Sequence, residues 1–296
     1  MSATASTLRT FSRPRGEWLR AVRRFVRTQP LGAFGAVVLL TMIVVAITAP
    51  VIAPENPLRI SVPLRLQPPS WSAPLGRDGF GRDVLSRIIY GAQVSMGIGF
   101  STLALSTVLK VTVGLISAYR MGLTDLILQR FVDGMGALPQ LLILATAAAM
   151  LPRGPVTLVL LLGGLTGLRG SRVVRSAVIA IRNNDYLVAA RALGASESRI
   201  LLRHVLPNIF APLMVVSTVS LGGIITAEAS LSFLGLGLQS PTVSWGQMLS
   251  LNGLSQMFDA PWIALAPGIA ISLAVYSINM LGDAMRDVLD PRLRGG

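Results

Sequence analysis

Six apolar runs punctuate the chain, at about 31–52, 92–119, 131–151, 155–176, 209–233 and 261–282, with polar stretches between them. A helix needs about 20 apolar residues to cross roughly 30 Å of hydrocarbon, and each run meets or approaches that length. The pattern predicts an all-α integral membrane protein with six transmembrane helices. The first run, Leu31 to Ile52, carries no charge and follows Arg9, Arg13, Arg15, Arg20, Arg23, Arg24 and Arg27. It is too long for the apolar part of a cleaved signal, so it reads as a retained anchor. In the fourth run only Gly154 to Leu168 is free of charge. Arg169, Arg172 and Arg175 then recur at helical spacing, so that helix is expected to continue past the membrane surface.

The basic leader places the N-terminus in the cytoplasm by the positive-inside rule. Six spans then put the 120–125 turn, the 177–208 loop and the C-terminus on the same side. The expected organisation is a cytoplasmic basic segment (1–30), a first transmembrane helix (31–53), an external segment with an interfacial helix (54–91), a five-helix core (92–283) and a cytoplasmic tail (284–296). The external stretch carries Arg59, Arg65, Arg77, Arg82 and Arg87, offset in part by Glu55, Asp78 and Asp83. Within it, "PLGRDGFGRDVLSR" (Pro74–Arg87) has the glycines of a phosphate loop but follows no predicted strand. It reads as a turn leading into the interfacial helix, with Arg82 and Arg87 at lipid headgroups. Pro139, Pro212 and Pro267 fall inside spans, where neighbouring helices must satisfy the freed carbonyls.

Composition narrows the function. Hydrophobic residues make up 52% of the 296 and charged residues 13%, with a mean hydropathy of +0.65; soluble domains carry about a quarter charged residues. The formal charge of +13 comes from arginines that flank spans. They are not interleaved with aromatic residues, so the lipid bilayer is the expected partner and nucleic acid is not. Cysteine is absent and His204 is the one histidine, which argues against disulfides, thiolate nucleophiles and a zinc-hydrolase site. Lys110, the one lysine, precedes Val111. A phosphate-binding P-loop needs Gly-Lys-Ser/Thr, so this chain has none and is expected to bind no cofactor itself.

Ionisable groups inside spans are the functional candidates, because a charge in lipid is costly. Glu228 follows the run Ile209–Ala227; it can touch a substrate, relay protons, or pin one helix to another. Lys110 lies in the second span, where it either snorkels or faces a cavity. Asp133 and Arg130 read as a pair across one turn.

The other candidate is the polar stretch 186–208. Tyr186 to Leu193 forms helix readily, with Val188, Ala189, Ala190 and Arg191 in its middle. Gly194 can take the left-handed cap conformation. After Ala195, Ser196 is an N-cap candidate with Glu197 in the first turn. Arg199 lies on the next turn, Ile200, Leu201 and Val205 share a face, and Pro207 ends the segment. This is a helix, a glycine turn and a helix. It either docks on a partner or folds back on its own bundle.

"AARALGAS…HVLPN" resembles the coupling loop of permease subunits in bacterial ATP-binding-cassette importers. "PLGRDGFGRDVLSRIIYGAQVS", "EASLSFLGLG", "SWGQML", "APW…PG" and "LGDAMRDVLDPRLRG" are similar, in order, to blocks of the dipeptide/oligopeptide group of these permeases, the C-subunit type. The resemblance implies a type I importer permease in the bacterial inner membrane. It implies as partners a second homologous permease, two ATPases and an external solute-binding protein, with ATP and Mg on the ATPases. It also implies no catalysis on this chain, and alternating access driven through 186–208. The acid usual ahead of the two alanines is Val188 here. Peptide, nickel and other small-solute importers share these blocks, and a stand-alone ion-coupled carrier using Glu228 or Lys110 is the reading from another class.

Overall fold

The computed structural model describes residues 17–250 and 255–289, and among them there is no β-strand. The helices are α1 (Glu17–Thr28), α2 (Pro30–Ile52), α3 (Val84–Arg120), α4 (Gly122–Ala137), α5 (Gln140–Met150) and α6 (Pro155–Ile181). They continue as α7 (Asp185–Ala192), α8 (Glu197–Ile200), α9 (Leu206–Asn208), α10 (Phe210–Phe233), α11 (Trp245–Met248) and α12 (Trp262–Leu289). Five of these, α2, α3, α6, α10 and α12, are long and apolar enough to cross a membrane. The helices α4 and α5, bent by 92° where they join, are together long and apolar enough to count as a sixth if the pair is one span.

On α2 the two sides differ as a lipid-facing span requires. Gly32, Gly35, Leu39, Ala46 and Ala49 are buried and include the face packed on α12, while Leu40, Ile47 and Val51 are exposed. Exposed apolar side chains at this density suit hydrocarbon rather than water. The central element is α3, which packs along α6 and also meets α2, α10 and α12. Its approach to α6 is close enough to require glycine. A Cβ on Gly167 would stand 2.7 Å from Leu109 Cβ, and one on Gly114 would stand 2.7 Å from Val174 Cβ. Small residues at such crossings let two backbones pack where larger ones would hold them apart.

Two boundaries differ from the hydropathy pattern. The second span begins at Val84, not 92, because Asp83 caps it: its carboxylate accepts from the Ser86 amide at 2.7 Å and from the Ser86 hydroxyl at 2.7 Å. Residues 84–91 accordingly belong to α3 itself, the stretch before it holds a short 3-10 turn at Val62–Leu64, and Arg87 is buried within α3 rather than placed at headgroups. The third span is broken at Leu138–Pro139. A proline disfavours helical geometry at the residue before it, and Leu138 is extended, at φ −92° and ψ 145°.

The break leaves carbonyls that α6 satisfies. Arg169 Nη2 donates to Met135 O at 2.7 Å and Leu138 O at 2.8 Å, and its Nη1 donates to Gln140 Oε1 at 3.3 Å. One turn on, Arg172 pairs with Asp133 at 2.5 Å, and one turn further Arg175 grips Asp125 through Nε at 2.7 Å and Nη2 at 2.5 Å. The three arginines therefore form a ladder that lays α4 antiparallel along α6. Arg130 also reaches Asp133, but at 4.0 Å, so the expected pair across one turn is the weaker of that aspartate's two contacts.

Candidate functional site

The stretch 185–208 is a helix–turn–helix with two unlike sides. On one side Leu187, Ile200, Val205 and Ile209 are buried in a cluster with Leu115 and Ala118 of α3, Val174 and Val178 of α6, and Leu213 of α10. On the other, Val188 is 51% and Leu193 88% exposed, and Ala189, Arg191, Gly194, Ser196 and Arg199 are exposed with them. Ala190 and Ala195 are half-buried and pack against the cluster. The segment folds back on its bundle with one face and keeps the other free. Leu193, the more exposed of the two large apolar side chains, stands at the tip of the turn.

The turn itself is set by Gly194, at φ +78°. Its amide donates to Arg191 O at 2.9 Å, and the Ala195 amide reaches back to Ala190 O at 3.1 Å. These are the two bonds that close a helix through a left-handed residue. Ser196 stands at the N-cap of α8 with an extended backbone, but its side chain makes no capping hydrogen bond. From Leu201 to Val205 the chain is π-helical, and the Leu206 amide bonds to Leu201 O. Pro207 follows directly and has no N–H to offer the regular ladder, which fits a wide turn at this point.

Lys110 is fully buried at the junction of α3, α6 and α10. Its Nζ donates to Ser220 Oγ at 3.4 Å, and its stem lies over Gly170, whose absent Cβ would come within 3.3 Å of Lys110 Cε. Among the described residues no carboxylate pairs with it. Fully buried, it does not snorkel to a surface of this chain.

Glu228 is 2% exposed, and its Oε1 accepts from Ser232 Oγ at 2.9 Å and Ser244 Oγ at 3.1 Å. Ser232 is one turn along α10; Ser244 caps α11, accepting from the Gln247 amide at 3.1 Å. Beside them the Trp245 amide donates to Ser95 Oγ at 3.2 Å, and the Trp245 indole donates to Ile88 O at 3.0 Å. The carboxyl group thus lies where the 234–250 segment is tied to α10, next to its attachment on α3. The Ser232 partner is readable from its four-residue spacing; the Ser244 partner depends on a fold-back that no spacing reveals. Likewise, the ladder from Arg169 to Arg175 is visible in sequence as a periodicity, while its acceptors on α4 are not.

At the opposite end of the bundle, residues 54–83 form a hydrogen-bonded cap. Glu55 takes Arg77 through Oε1 at 2.6 Å and Oε2 at 3.2 Å, and the guanidinium holds the Glu55 carboxyl below its ordinary range. The same contact raises Arg77. Asp78 binds Arg82 at 2.7 Å and lies 3.6 Å from Arg87, whose Nη2 donates to Gln247 Oε1 at 3.2 Å. A cavity of about 220 Å³ lies between this cap and the later segment, lined by Asp78, Arg82, Arg87, Ser240 and Gln247 among others.

Comparison with known proteins agrees with this architecture. Residues 110–295 match the family model described as binding-protein-dependent transport system inner membrane component. Residues 16–69 match the N-terminal TM domain of oligopeptide transport permease C. A putative peptide transport system permease protein of Brucella suis biovar 1 (strain 1330) is 40% identical over 272 residues, covering 92% of this chain and 91% of the relative. The dipeptide transport system permease protein of Alkalihalophilus pseudofirmus is 35% identical over 277 residues, 94% of this chain and 90% of its own. The oligopeptide transport system permease protein of Bacillus subtilis (strain 168) is 34% identical over 277 residues, with the same coverages. In fold, the chain is similar to one from the MetNI methionine ABC transporter in inward facing conformations, with a TM-score of 0.56 at 17% identity, covering 70% of this chain and 98% of that one. With five long apolar helices and one bent pair built around these matched segments, the chain is a multi-pass inner membrane protein belonging to the family of binding-protein-dependent transport system inner membrane components.

Proposed function

We propose that this chain is one of two permease subunits in an ATP-driven importer of di- or oligopeptides. The relatives named for peptide transport support the substrate class. The other subunits are a homologous permease, two ATPases that carry ATP and Mg, and an external solute-binding protein; this chain performs no catalysis. Both of its termini lie in the cytoplasm, which puts 185–208 on the side of the ATPases. The observation that carries the reading is the two-sided helix–turn–helix. Its inner face is packed on α3 and α6, so a force on Val188 and Leu193 reaches the long helices without an intervening flexible link. Closure of the ATPases moves the segment and, through α3 and α6, opens the translocation path outward; their separation returns it inward. Val188 offers the ATPase an apolar contact where the resembled loop has an acid.

Co-purification tests this. Wild-type chain co-expressed with its ATPases retains them, and Gly194→Trp releases them while the chain still reaches the membrane. Peptide uptake that persists in cells lacking the ATPases overturns the reading in favour of an ion-coupled carrier.

A further inference from the structure

Outside the coupling segment, the feature left without a role is α1. Its arginines, Arg20, Arg23, Arg24 and Arg27, recur at the spacing of one helical face. Their side chains, with Thr28, line a concavity of about 350 Å³. Among the described residues none of the four takes part in an ion pair. Val22 and Val26, four residues apart, are 51% and 49% exposed. At 3.6 residues per turn the valines lie about 130° round the helix from the centre of the arginine face.

The position of the helix selects its partner. Gln29 alone separates α1 from α2, and its backbone, at φ −133° and ψ 66°, ends α1 before Pro30 opens the span. The Gln29 side chain donates to Asp287 Oδ2 at 3.2 Å, which ties this corner to the far end of α12. The helix is therefore held where a membrane span begins. At that level a membrane offers acyl chains on one side and phosphates on the other. A soluble acidic partner would meet the arginines but leave both valines in water.

We propose that α1 lies in the membrane interface and binds anionic phospholipid, with Val22 and Val26 toward the acyl chains and the four arginines on headgroup phosphates. A short helix with one basic and one apolar face has the amphipathic character of interfacial anchors. An arginine near an anionic surface is worth roughly a factor of five in binding, so the four together favour anionic over zwitterionic lipid strongly.

The test uses the full chain in nanodiscs of mixed phosphatidylcholine and phosphatidylglycerol, with native mass spectrometry reading the retained lipid. Wild type keeps phosphatidylglycerol in preference, and R20Q/R23Q/R24Q/R27Q loses that preference by about tenfold or more. The double variant R59Q/R65Q, altered at exposed arginines of the opposite end, keeps it. Because the chain has no cysteine, a spin label at Val22→Cys reports depth with every arginine intact. Strong relaxation by oxygen and little by a soluble nickel chelate is expected. Unchanged lipid preference in the fourfold variant overturns the proposal, as does a label at Val22→Cys relaxed mainly by the nickel chelate. Release of ATPase subunits by the fourfold variant with its lipids unchanged also overturns it, and gives the face to a protein partner.

Discussion

Replacing Gly194 by alanine separates backbone geometry from packing in the 185–208 turn. A Cβ at this position would meet no atom within 4 Å, so the substitution adds no clash. Its whole effect comes from φ +78°, where an L-residue costs about 1–2 kcal/mol. That corresponds to a loss of roughly five- to thirty-fold in the population of the closed turn. The bond from the Ala195 amide to Ala190 O, 3.1 Å long, exists only in that closed form. Hydrogen exchange at Ala195 in the detergent-solubilised chain should therefore accelerate by about the same five- to thirty-fold factor in Gly194→Ala. It should accelerate less in Gly194→Asn, because asparagine tolerates the left-handed region, and most in Gly194→Val, because a β-branched side chain tolerates it least. Amides along α3 should not change. Equal exchange in Gly194→Ala and wild type, or the order reversed between asparagine and valine, would refute the reasoning that this turn is held by the glycine's conformation.

Three further outcomes are expected. Glu228→Gln should lower thermal stability by less than about 1 kcal/mol, because a carboxamide oxygen can accept both serine hydroxyls that Oε1 now accepts; Glu228→Leu should cost roughly 2–3 kcal/mol by leaving them unpaired. A double-mutant cycle of Arg175→Gln with Asp125→Asn should give a coupling of about 1–2 kcal/mol in detergent melts, and additive losses would remove the ladder as the hold on α4. Glu55, held below its ordinary carboxylate value of 4.5 by Arg77, contributes stability that is complete above that value and lost as pH falls through its lowered one. Melting temperature followed through that acid window should therefore fall more steeply in wild type than in Glu55→Gln; parallel curves would dismiss the contribution.

The spans were legible because hydrocarbon imposes a length and a composition on every crossing helix. What failed were the ends, where single side chains decide. Asp83 and Ser86 start α3 eight residues before the apolar run, and the two residues are an ordinary capping pair once the helix is known to begin there. Pro139 was visible as a disturbance, but a kink and a 92° break share one sequence signature. The difference lies in Arg169, thirty residues downstream, whose guanidinium satisfies the Leu138 carbonyl that the break leaves free. The helix–glycine–helix over 186–208 could be read from local chemistry alone, since Gly194 and the alanines before it act within a few residues. Which of its faces stays exposed could not, because Leu187 and Ile200 are buried by α3 and α6. The same holds for Lys110, whose environment is made by Gly170 and Ser220 on two other helices.

The length of α3 has a mechanical consequence. Its 37 residues contain no proline, and at 1.5 Å per residue they make a rod about 55 Å long. Near one end Leu115 and Ala118 touch the seat of 185–208. At the other, Ser86 Oγ receives the Glu55 amide at 3.0 Å and Arg87 reaches Gln247, so the rod also carries the opposite cap. A rigid tilt of roughly 5° shifts one end by about 5 Å relative to the other. A displacement imposed at one end of such a rod would arrive at the other with its direction reversed about the pivot.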